Sequence, residues 1–324
     1  MTEPVLSIRN LSVDIPTRQG IVKPVDAISY DIGRGEILGV VGESGAGKSM
    51  AGNAVIGLLN PPAHITGGEI WLNGKRIDPL KGEAMRRLRG KDIGMIFQDP
   101  LTSLNPLLTV GDQLAETMMT HLPIGRAEAA KRAIAALDEV GIPGAAERIK
   151  SYPHEFSGGM RQRVVIALAL CAEPSLVIAD EPTTALDVSV QAQIISLLKK
   201  LCRERGTAVM LITHDMGVIA EAADRVAVMY AGRLAELGAV RDVLSHPEHP
   251  YTHGLMASTP LASLGQERLH QIPGAMPRLS LMPEGCAFHP RCARAGDKCR
   301  AAPWPVIDGG RAACWFPMVS EDAQ

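Results

Sequence analysis

The apolar positions of this 324-residue chain fall into short continuous runs and one longer helical repeat. Apolar runs in 36–41, 175–181 and 208–213 predict buried strands, because a strand covered on both faces reads as a near-continuous apolar segment. In 127–137 the apolar side chains follow the 3.6-residue period of an amphipathic helix. From 174 to 235 strand and helix patterns alternate, which is typical of a parallel sheet in an α/β fold.

Changes in composition and apolar periodicity along the sequence divide the chain into two predicted parts. Residues 1–97 mix strand patterns with a glycine-rich loop, and about 99–170 is helical, which predicts a helical subdomain within the first part. From about Gly238 prolines become frequent and regular periodicity fades. We therefore predict a main domain over 1–237 and a C-terminal extension over 238–324.

The composition favours a globular protein with a sizeable core. Hydrophobic residues make up 46% of the chain and charged residues 21%, and the net charge is −2, so nothing favours nucleic acid as a partner. The longest apolar run, 164–172, falls well short of the roughly 20 residues that a membrane-spanning helix needs. No N-terminal signal peptide is visible. Any role at a membrane is therefore expected to depend on partner proteins.

One glycine-rich segment carries the clearest chemical signal. It has the pattern GxxxxGK[ST] and lies between the strand at 36–41 and a predicted helix over 50–59, the context that a phosphate-binding loop needs. Its glycines let backbone N–H groups point at a triphosphate, Lys48 supplies a charge for the β- and γ-phosphates, and Ser49 offers a hydroxyl to Mg²⁺. The predicted ATP-binding residues of this segment are Gly42, Glu43, Ser44, Gly45, Ala46, Gly47, Lys48 and Ser49.

Two other predicted strands end in side chains suited to nucleotide hydrolysis. The strand at 175–181 ends in Asp180, predicted to hold Mg²⁺, and Glu181, predicted to polarise the attacking water as a general base. The strand at 208–213 is followed by His214, which we interpret as a sensor of the γ-phosphate. We expect these groups at the same sheet edge as the phosphate loop.

A second anion site is predicted at Ser157-Gly158-Gly159, which opens a buried helix. Small residues at a helix N-terminus leave N–H groups free to bind an anion. One phosphate loop does not need two such sites for one triphosphate. The economical explanation is a dimer in which this site caps the ATP that another chain holds.

In this combination of motifs the chain resembles the ATP-binding cassette family. The segment 157–159 resembles the family's signature, Gln98 its Q-loop, and Ala185-Leu186-Asp187 its D-loop, in matching order over roughly the first two-thirds of the chain. The resemblance implies a phosphate-loop NTPase fold with a RecA-like core, an antiparallel β subdomain and an inserted helical signature subdomain. The catalytic residues that we assign on this basis are Gln98, Glu181 and His214.

Three longer segments, 98–106, 152–163 and 249–251, are similar to the dipeptide and oligopeptide importer branch of the family, and within it to D-type ATPase subunits. The resemblance implies an ATPase that drives uptake of di- or oligopeptides through two separate membrane permeases. The other implied partners are a second ATPase subunit, in a heterodimer with a paralogue, and an extracytoplasmic solute-binding protein. The implied location is peripheral, on the cytoplasmic face of the cell's inner membrane.

The solute is left open by the sequence, because the substrate path lies in other chains. Nickel chelates, glutathione and opines are alternatives to peptides in the same importer class. A soluble cassette ATPase of DNA repair or translation is a further alternative, but it would be expected to show two cassettes, coiled coils, zinc knuckles or a basic surface. The aromatic residue that usually stacks on adenine in this family is missing from 17–24, where Ile21 or Val22 is the expected apolar platform.

Four of the six cysteines lie in the C-terminal extension, whereas Cys171 and Cys202 fall in helical apolar runs and are predicted core residues. A disulfide is disfavoured in an NTP-using cytosolic protein. No two of the four are as close as the C-x₂₋₄-C pair of most zinc sites, so their spacing suits an iron–sulfur cluster better, with Zn²⁺ as the alternative. The resemblance to D-type subunits also implies a 4Fe–4S cluster. The predicted ligands are Cys286, Cys292, Cys299 and Cys314.

Basic residues surround these cysteines in the sequence. We interpret them either as charges that offset the negative charge of a cluster or as a solvated face. A cluster that staples a proline-rich extension with little core of its own ranks ahead of one that senses redox state. The basic residues are Arg291, Arg294, Lys298, Arg300 and Arg311.

Overall fold

The computed structural model describes residues 3–184, 186–259, 270–307 and 310–318. Contacts between its residues divide the chain into two compact units. The first unit comprises Met1–Leu6, Ile32–Ile37 and Pro79–Leu211, and the second comprises Ser7–Asp31, Leu38–Asp78 and Ile212–Gln324. The C-terminal extension therefore belongs to the same unit as the phosphate loop, and the predicted domain boundary at 237/238 stays a prediction.

Strands and helices alternate along much of the chain, as the apolar pattern predicts. The strands are β1 Leu6–Thr17, β2 Gly20–Ile32, β3 Ile37–Val41, β4 His64–Leu72, β5 Lys75–Arg76, β6 Ile93–Ile96, β7 Leu176–Asp180, β8 Ala208–Ile212, β9 Arg225–Tyr230 and β10 Arg233–Ala239. The helices are α1 Lys48–Val55, α2 Gly82–Leu88, α3 Pro100–Ser103, α4 Val110–His121, α5 Arg126–Glu139, α6 Ala145–Arg148, α7 Gly158–Leu170, α8 Val188–Arg205, α9 Met216–Ala222, α10 Val240–Ser245, α11 Pro250–Ala257 and α12 Asp297–Ala301. Short 3₁₀ turns occur at Pro153–Glu155 and His289–Arg291.

The second unit contains two groups of strands. One is a four-stranded sheet with the order β2-β1-β4-β5, in which β4 and β5 are antiparallel. The other has the order β10-β9-β3, with β3 parallel to β9 and β10 antiparallel to β9. All five residues of β3 are buried, as its continuous apolar run predicts. This strand delivers the phosphate loop to the edge of its sheet.

The first unit contains the strands β8, β7 and β6, in that order, and the helical region. β6 runs parallel to β7, with Ile96 opposite Ala179. The N–H of Ala208, the first residue of β8, donates to Ser175 O at 2.9 Å. Residues 100–170 contain helices α3 to α7, and the buried side chains of α4 to α7 are largely aliphatic. The predicted helical subdomain over about 99–170 stays a prediction.

The helix after the phosphate loop is shorter than the sequence predicts. It ends at Val55 rather than at residue 59 because Gly57 adopts a φ of +67°, the left-handed conformation that commonly ends a helix. Pro61 and Pro62 follow and prevent its continuation.

The C-terminal extension is more regular than its fading periodicity indicates. Its helices α10 and α11 have only six and eight residues, which is too short for a helical period to stand out in the sequence. Cys171 and Cys202, predicted as core residues, are both buried. Within the described ranges, no helix has the length and apolarity that crossing a membrane requires.

Candidate nucleotide site

The phosphate loop joins β3 to α1 in the second unit. α1 begins at Lys48, and the preceding Gly47 has a φ of +102°. A Cβ on Gly47 would lie 2.0 Å from Pro24 O, and a Cβ on Gly42, whose φ is +151°, would lie 2.2 Å from Met229 O. Both conformation and space therefore require glycine at these two positions.

Lys48 is a buried cation at the start of α1, with 7% of its surface exposed. Its Nζ donates to Gly42 O at 2.8 Å and to Glu43 O at 3.1 Å. These carbonyls hold the ammonium group beside the helix N-terminus, where backbone N–H groups and the helix dipole favour an anion. A fixed cation next to a helix N-terminus is an arrangement that binds phosphate.

His214 follows β8 and belongs to the second unit. The N–H of Thr213 donates to Val40 O at 3.2 Å, so the chain just before His214 is bonded to β3 two residues ahead of the loop. Asp215 caps α9 by accepting a hydrogen bond from the N–H of Gly217 at 2.7 Å. His214 itself is exposed, and its role as a sensor of the γ-phosphate stays a prediction.

Gln98 and Glu181 contact each other in the first unit. Gln98 Nε2 donates to Glu181 Oε2 at 3.1 Å, and Thr184 Oγ1 donates to the same oxygen at 2.9 Å. Both residues follow the carboxyl ends of the parallel neighbours β6 and β7, and Asp180 is the last residue of β7. Glu181 has a φ of +47°, a conformation that is uncommon for a residue with a side chain and that clusters at functional sites.

The predicted signature and D-loop each contribute a helix cap in the first unit. Ser157 caps α7 by accepting a hydrogen bond from the N–H of Met160 at 3.4 Å, and Ser157 and Gly158 are exposed. Asp187 caps α8, where its Oδ1 accepts a bond from the N–H of Val190 at 2.9 Å. This bond, more than any other contact, lowers the pKa of the Asp187 carboxyl.

The starts of these two helices are close together. A Cβ on Gly159 would lie 2.7 Å from Val190 Cγ1, so glycine is needed for the close approach of α7 and α8. Asp187 is described, but Ala185, the first residue of the predicted D-loop, lies outside the described residues.

The two units thus hold different parts of the predicted site, and the assignment of these residues to one ATP site remains a prediction. The second unit contains the loop over 42–49 and His214. The first unit contains Gln98, Ser157, Gly158, Gly159, Asp180, Glu181 and Asp187.

Two residues of the C-terminal extension contact the phosphate loop, and the sequence does not predict either contact. The N–H of Glu43 donates to the Tyr251 hydroxyl at 2.9 Å, and Arg291 Nη1 donates to both carboxylate oxygens of Glu43 at 3.0 Å. The interpretation of Arg291 as part of a solvated face is therefore wrong, and its other interpretation, as a charge that offsets a cluster, stays a prediction. Its side chain is 7% exposed and forms an ion pair with the phosphate loop.

The four cysteines of the extension line one small cavity, together with His249 and Trp315. Burial raises the pKa of the Cys286 and Cys314 thiols to about 11, and neighbouring thiols reinforce the increase. In the described part of the chain, however, no group of three or more His, Cys, Asp or Glu side chains is arranged to hold a metal ion. The donor types and the shared cavity fit a metal centre, but the thiols do not form a ligand sphere. The cysteines are Cys286, Cys292, Cys299 and Cys314.

Two buried N–H groups belong to residues that line this cavity. His249 Nδ1 accepts a hydrogen bond from the N–H of Tyr251 at 3.0 Å, and burial lowers the pKa of His249 to about 3, so the neutral ring carries its proton on Nε2. Neither His249 Nε2 nor Trp315 Nε1 has a hydrogen-bond partner among the residues that the structure describes. Buried donors without partners are rare, and cysteine sulfur is an acceptor within this cavity.

The loop between a buried strand and a helix, together with the α/β strand order, defines a phosphate-loop NTPase. Residues 25–184 match the ABC transporter family, and residues 235–299 match the C-terminal region of oligopeptide/dipeptide transporters. Among solved structures, the chain is similar to the ATP-binding cassette MJ0796 in a dimeric post-hydrolysis state bound to ADP and Pi. That similarity has a TM-score of 0.65 at 28% identity and covers 73% of this chain and 99% of the other.

Curated relatives cover nearly the whole length of the chain. It is 49% identical over 318 residues to the dipeptide transport ATP-binding protein DppD of Bacillus subtilis, covering 97% of this chain and 95% of that protein. It is also 49% identical over 319 residues to the oligopeptide transport ATP-binding protein OppD of Salmonella typhimurium, covering 98% and 95%. The chain therefore belongs to the ATP-binding cassette family, in the branch of dipeptide and oligopeptide transport ATP-binding proteins.

Proposed function

We propose that this chain is the ATP-hydrolysing subunit of an importer of di- or oligopeptides. The relatives named above are peptide transport ATP-binding proteins, and proteins of this family hydrolyse ATP. The observation that carries the proposal is a complete phosphate loop in one chain with a C-terminal region of the oligopeptide/dipeptide transporter type at 235–299. The solute itself passes through membrane permeases that are separate chains.

In this function the residues of the site divide the chemistry among them. Lys48 and the N–H groups of the loop bind the β- and γ-phosphates. Ser49 and Asp180 hold Mg²⁺, which neutralises phosphate charge when it is bound. Glu181 takes the proton of the attacking water, and Gln98 orients the Glu181 carboxylate through the bond at 3.1 Å. His214 senses the γ-phosphate.

The working assembly pairs this chain with a second ATPase subunit, a paralogue in a heterodimer. The exposed N-terminus of α7 at Ser157 and Gly158 supplies an anion site beyond the one in the phosphate loop. The similar cassette MJ0796 is dimeric in its solved structure, which supports a dimer for this chain as well. Two membrane permeases and an extracytoplasmic solute-binding protein complete the importer, with this chain peripheral on the cytoplasmic face of the inner membrane.

Solute-binding protein loaded with peptide is expected to stimulate ATP hydrolysis by the assembled transporter. The same protein offered nickel chelates, glutathione or opines is expected to give no stimulation.

Gln98→Ala is expected to reduce this stimulation and peptide uptake more than ATP affinity, because Gln98 contacts Glu181 and begins the segment 98–106 that leads into the helical region. The measurements are steady-state ATPase rates and uptake in reconstituted vesicles. Gln271→Ala, at an exposed glutamine, is the control.

Stimulation by a nickel chelate, glutathione or an opine in place of peptide would overturn the proposed substrate class. If peptide uptake is unchanged in the Gln98→Ala variant, Gln98 is only a structural residue of its loop.

We further propose that the four cysteines of the cavity bind a 4Fe–4S cluster, with Zn²⁺ as the alternative. The shared cavity and the number of thiols support a cluster. The unpartnered N–H groups of His249 and Trp315 support it too, because cluster sulfurs accept hydrogen bonds. The cluster would tie together an extension whose helices are short.

Protein purified without air is expected to be brown and to contain about four irons per chain, as a Cys₄-held cubane does. Cys292→Ser is expected to remove both colour and iron, because it deletes one ligand. Cys171→Ser, at a buried cysteine that ends α7, is the control and is expected to retain both. One zinc in a colourless chain would favour the alternative metal, and four titratable thiols without metal would contradict both proposals.

A further inference from the structure

Glu43, the second residue of the phosphate loop, is held at three points. Its N–H donates to the Tyr251 hydroxyl at 2.9 Å, and its carboxylate accepts from Arg291 Nη1 at 3.0 Å through both oxygens. Its carbonyl oxygen accepts from Lys48 Nζ at 3.1 Å. Glu43 therefore links the C-terminal extension to Lys48, the lysine proposed to bind the phosphates.

Arg291 is fixed in place by several contacts of its own. Its Nε donates to Pro273 O at 2.9 Å and its Nη1 to the Tyr230 hydroxyl at 3.3 Å. The guanidinium also lies over the rings of Tyr230 and Phe288, at 5.8 and 5.9 Å from their centroids. An arginine that is buried and bonded in this way holds its partner in one geometry.

Tyr251 is equally constrained, through the start of α11. His249 caps this helix with Nδ1, which accepts from the N–H of Tyr251, and Pro250 occupies the first helical position. The buried carboxylate of Glu236 accepts from the N–H of His249 at 2.9 Å. The Tyr251 ring is fully buried and packs edge-on against Tyr230, with centroids 4.6 Å apart.

A third contact from the extension reaches the loop at Gly45. A Cβ placed on Gly45 would lie 3.2 Å from Met276 Cε, so the segment around Met276 also lies against the loop. The extension therefore touches two of the residues between the first and last glycines of the motif. These contacts give the segment His249-Pro250-Tyr251, which the ATP chemistry leaves unexplained, a physical role.

We propose that Arg291 and Tyr251 are positioning residues for nucleotide binding, which hold Glu43 so that the phosphate loop and Lys48 keep the form that accepts the phosphates. The proposal rests on the proposed function only in so far as the chain binds ATP. If the loop already has its binding conformation, less free energy is lost in ordering it when the nucleotide binds. The affinity therefore rises without any new contact to the nucleotide. Arg291 and Tyr251 act through Glu43.

The test is a double-mutant cycle on the affinity of the full-length chain for MgATP, measured with a fluorescent ATP analogue. Arg291→Gln and Glu43→Gln are each expected to weaken binding about tenfold, because each leaves one member of an ion pair between a buried arginine and a half-buried glutamate without its charged partner. The double variant is expected to bind no more weakly than the worse single variant, since the pair acts as a unit. Arg300→Gln, at an exposed arginine of α12, is the control and is expected to bind as the wild type does.

Two further variants separate positioning from general stability. Arg291→Lys retains a charge for Glu43 and is expected to recover part of the affinity. Tyr251→Phe removes one hydroxyl and leaves the buried ring, so it is expected to weaken binding by a few-fold, the loss of one hydrogen bond. In the assembled transporter, Arg291→Gln is expected to raise KM for ATP and to leave kcat nearly unchanged, because, in the described part of the chain, its hydrogen bonds to the loop go to Glu43.

Wild-type affinity in both Arg291→Gln and Tyr251→Phe would overturn the proposal, and so would single effects that multiply in the double variant. If Arg291→Gln fails to fold, Tyr251→Phe and Glu43→Gln still decide the question. Failure of the wild-type chain to bind the ATP analogue would instead refute the proposed function, so the two failures are distinguishable.

Discussion

Replacing Glu181 with Gln is expected to lower steady-state ATP hydrolysis by about 10²-fold or more while ATP still binds, the scale of losing a general base. The amide is close in shape to the carboxylate, so Thr184 and the region around Gln98 are expected to keep their places. An amide cannot take a proton from water, and hydrolysis stops at the bound complex. Phosphate release and nucleotide binding, measured on the same preparation, check the two halves of this expectation.

A matched control for this change is Glu204→Gln, at an exposed glutamate of α8. It removes one carboxylate from the same unit and is expected to leave the rate unchanged. Because hydrolysis is blocked after binding, Glu181→Gln is also expected to accumulate as an ATP-bound dimer on a sizing column. Normal turnover in the Glu181→Gln variant would show that another group serves as the base.

Replacing Lys48 with Ala is expected to weaken ATP binding itself. A hydrogen bond to a charged group contributes about 1.5–3 kcal/mol, so affinity is expected to fall by about 10- to 100-fold. The same change leaves the carbonyls of Gly42 and Glu43 without the ammonium donor that they now share. Equilibrium binding of a fluorescent ATP analogue measures the effect.

Lys75→Ala is the control, since Lys75 is an exposed lysine on β5 in the same unit. Its affinity is expected to match the wild type. An unchanged affinity in Lys48→Ala would mean that the segment 42–49 is a structural turn that does not bind phosphate.

The parts of the fold that the sequence predicts well depend on local constraints. Continuous apolar runs predict the strands β3, β7 and β8, and the apolar period over 127–137 predicts α5, Arg126–Glu139. The phosphate loop was predictable because its glycines, lysine and serine are adjacent in sequence and their spacing alone fixes the geometry. The contact between Gln98 and Glu181 follows from the parallel pairing of β7 with β6, a short strand for which the apolar pattern made no prediction.

The contacts between the C-terminal extension and the phosphate loop could not be predicted from the sequence. Arg291 and Glu43 are 248 positions apart, and nothing in the sequence distinguishes Arg291 from neighbouring arginines that are exposed, such as Arg300. The one available signal was His249-Pro250-Tyr251, a motif to which the ATP chemistry gave no role. In the sequence Arg291 lies next to the cysteines, whereas in the fold its buried side chain forms an ion pair with the phosphate loop.

The cysteine spacing illustrates a different limit. Spacing in sequence predicted which four thiols meet, and they do line one cavity. It could not predict the distances among them, because Cys299 lies in α12 and the other three cysteines lie in segments outside the helices, and spacing does not fix how such segments pack. The end of α1 at Val55 is a similar case, in which the backbone conformation of one glycine outweighs the apolar pattern.

ATP hydrolysis at the phosphate loop of this chain is proposed to drive peptide import. Uptake of a labelled dipeptide into vesicles tests it most directly, with the permeases in the membrane, the loaded solute-binding protein on one side, and this chain with its partner subunit and MgATP on the other. Uptake is expected to require ATP and to be lost in the Glu181→Gln variant although ATP still binds. Uptake that continues undiminished in that variant, or wild-type ATP hydrolysis that moves no peptide, would contradict it.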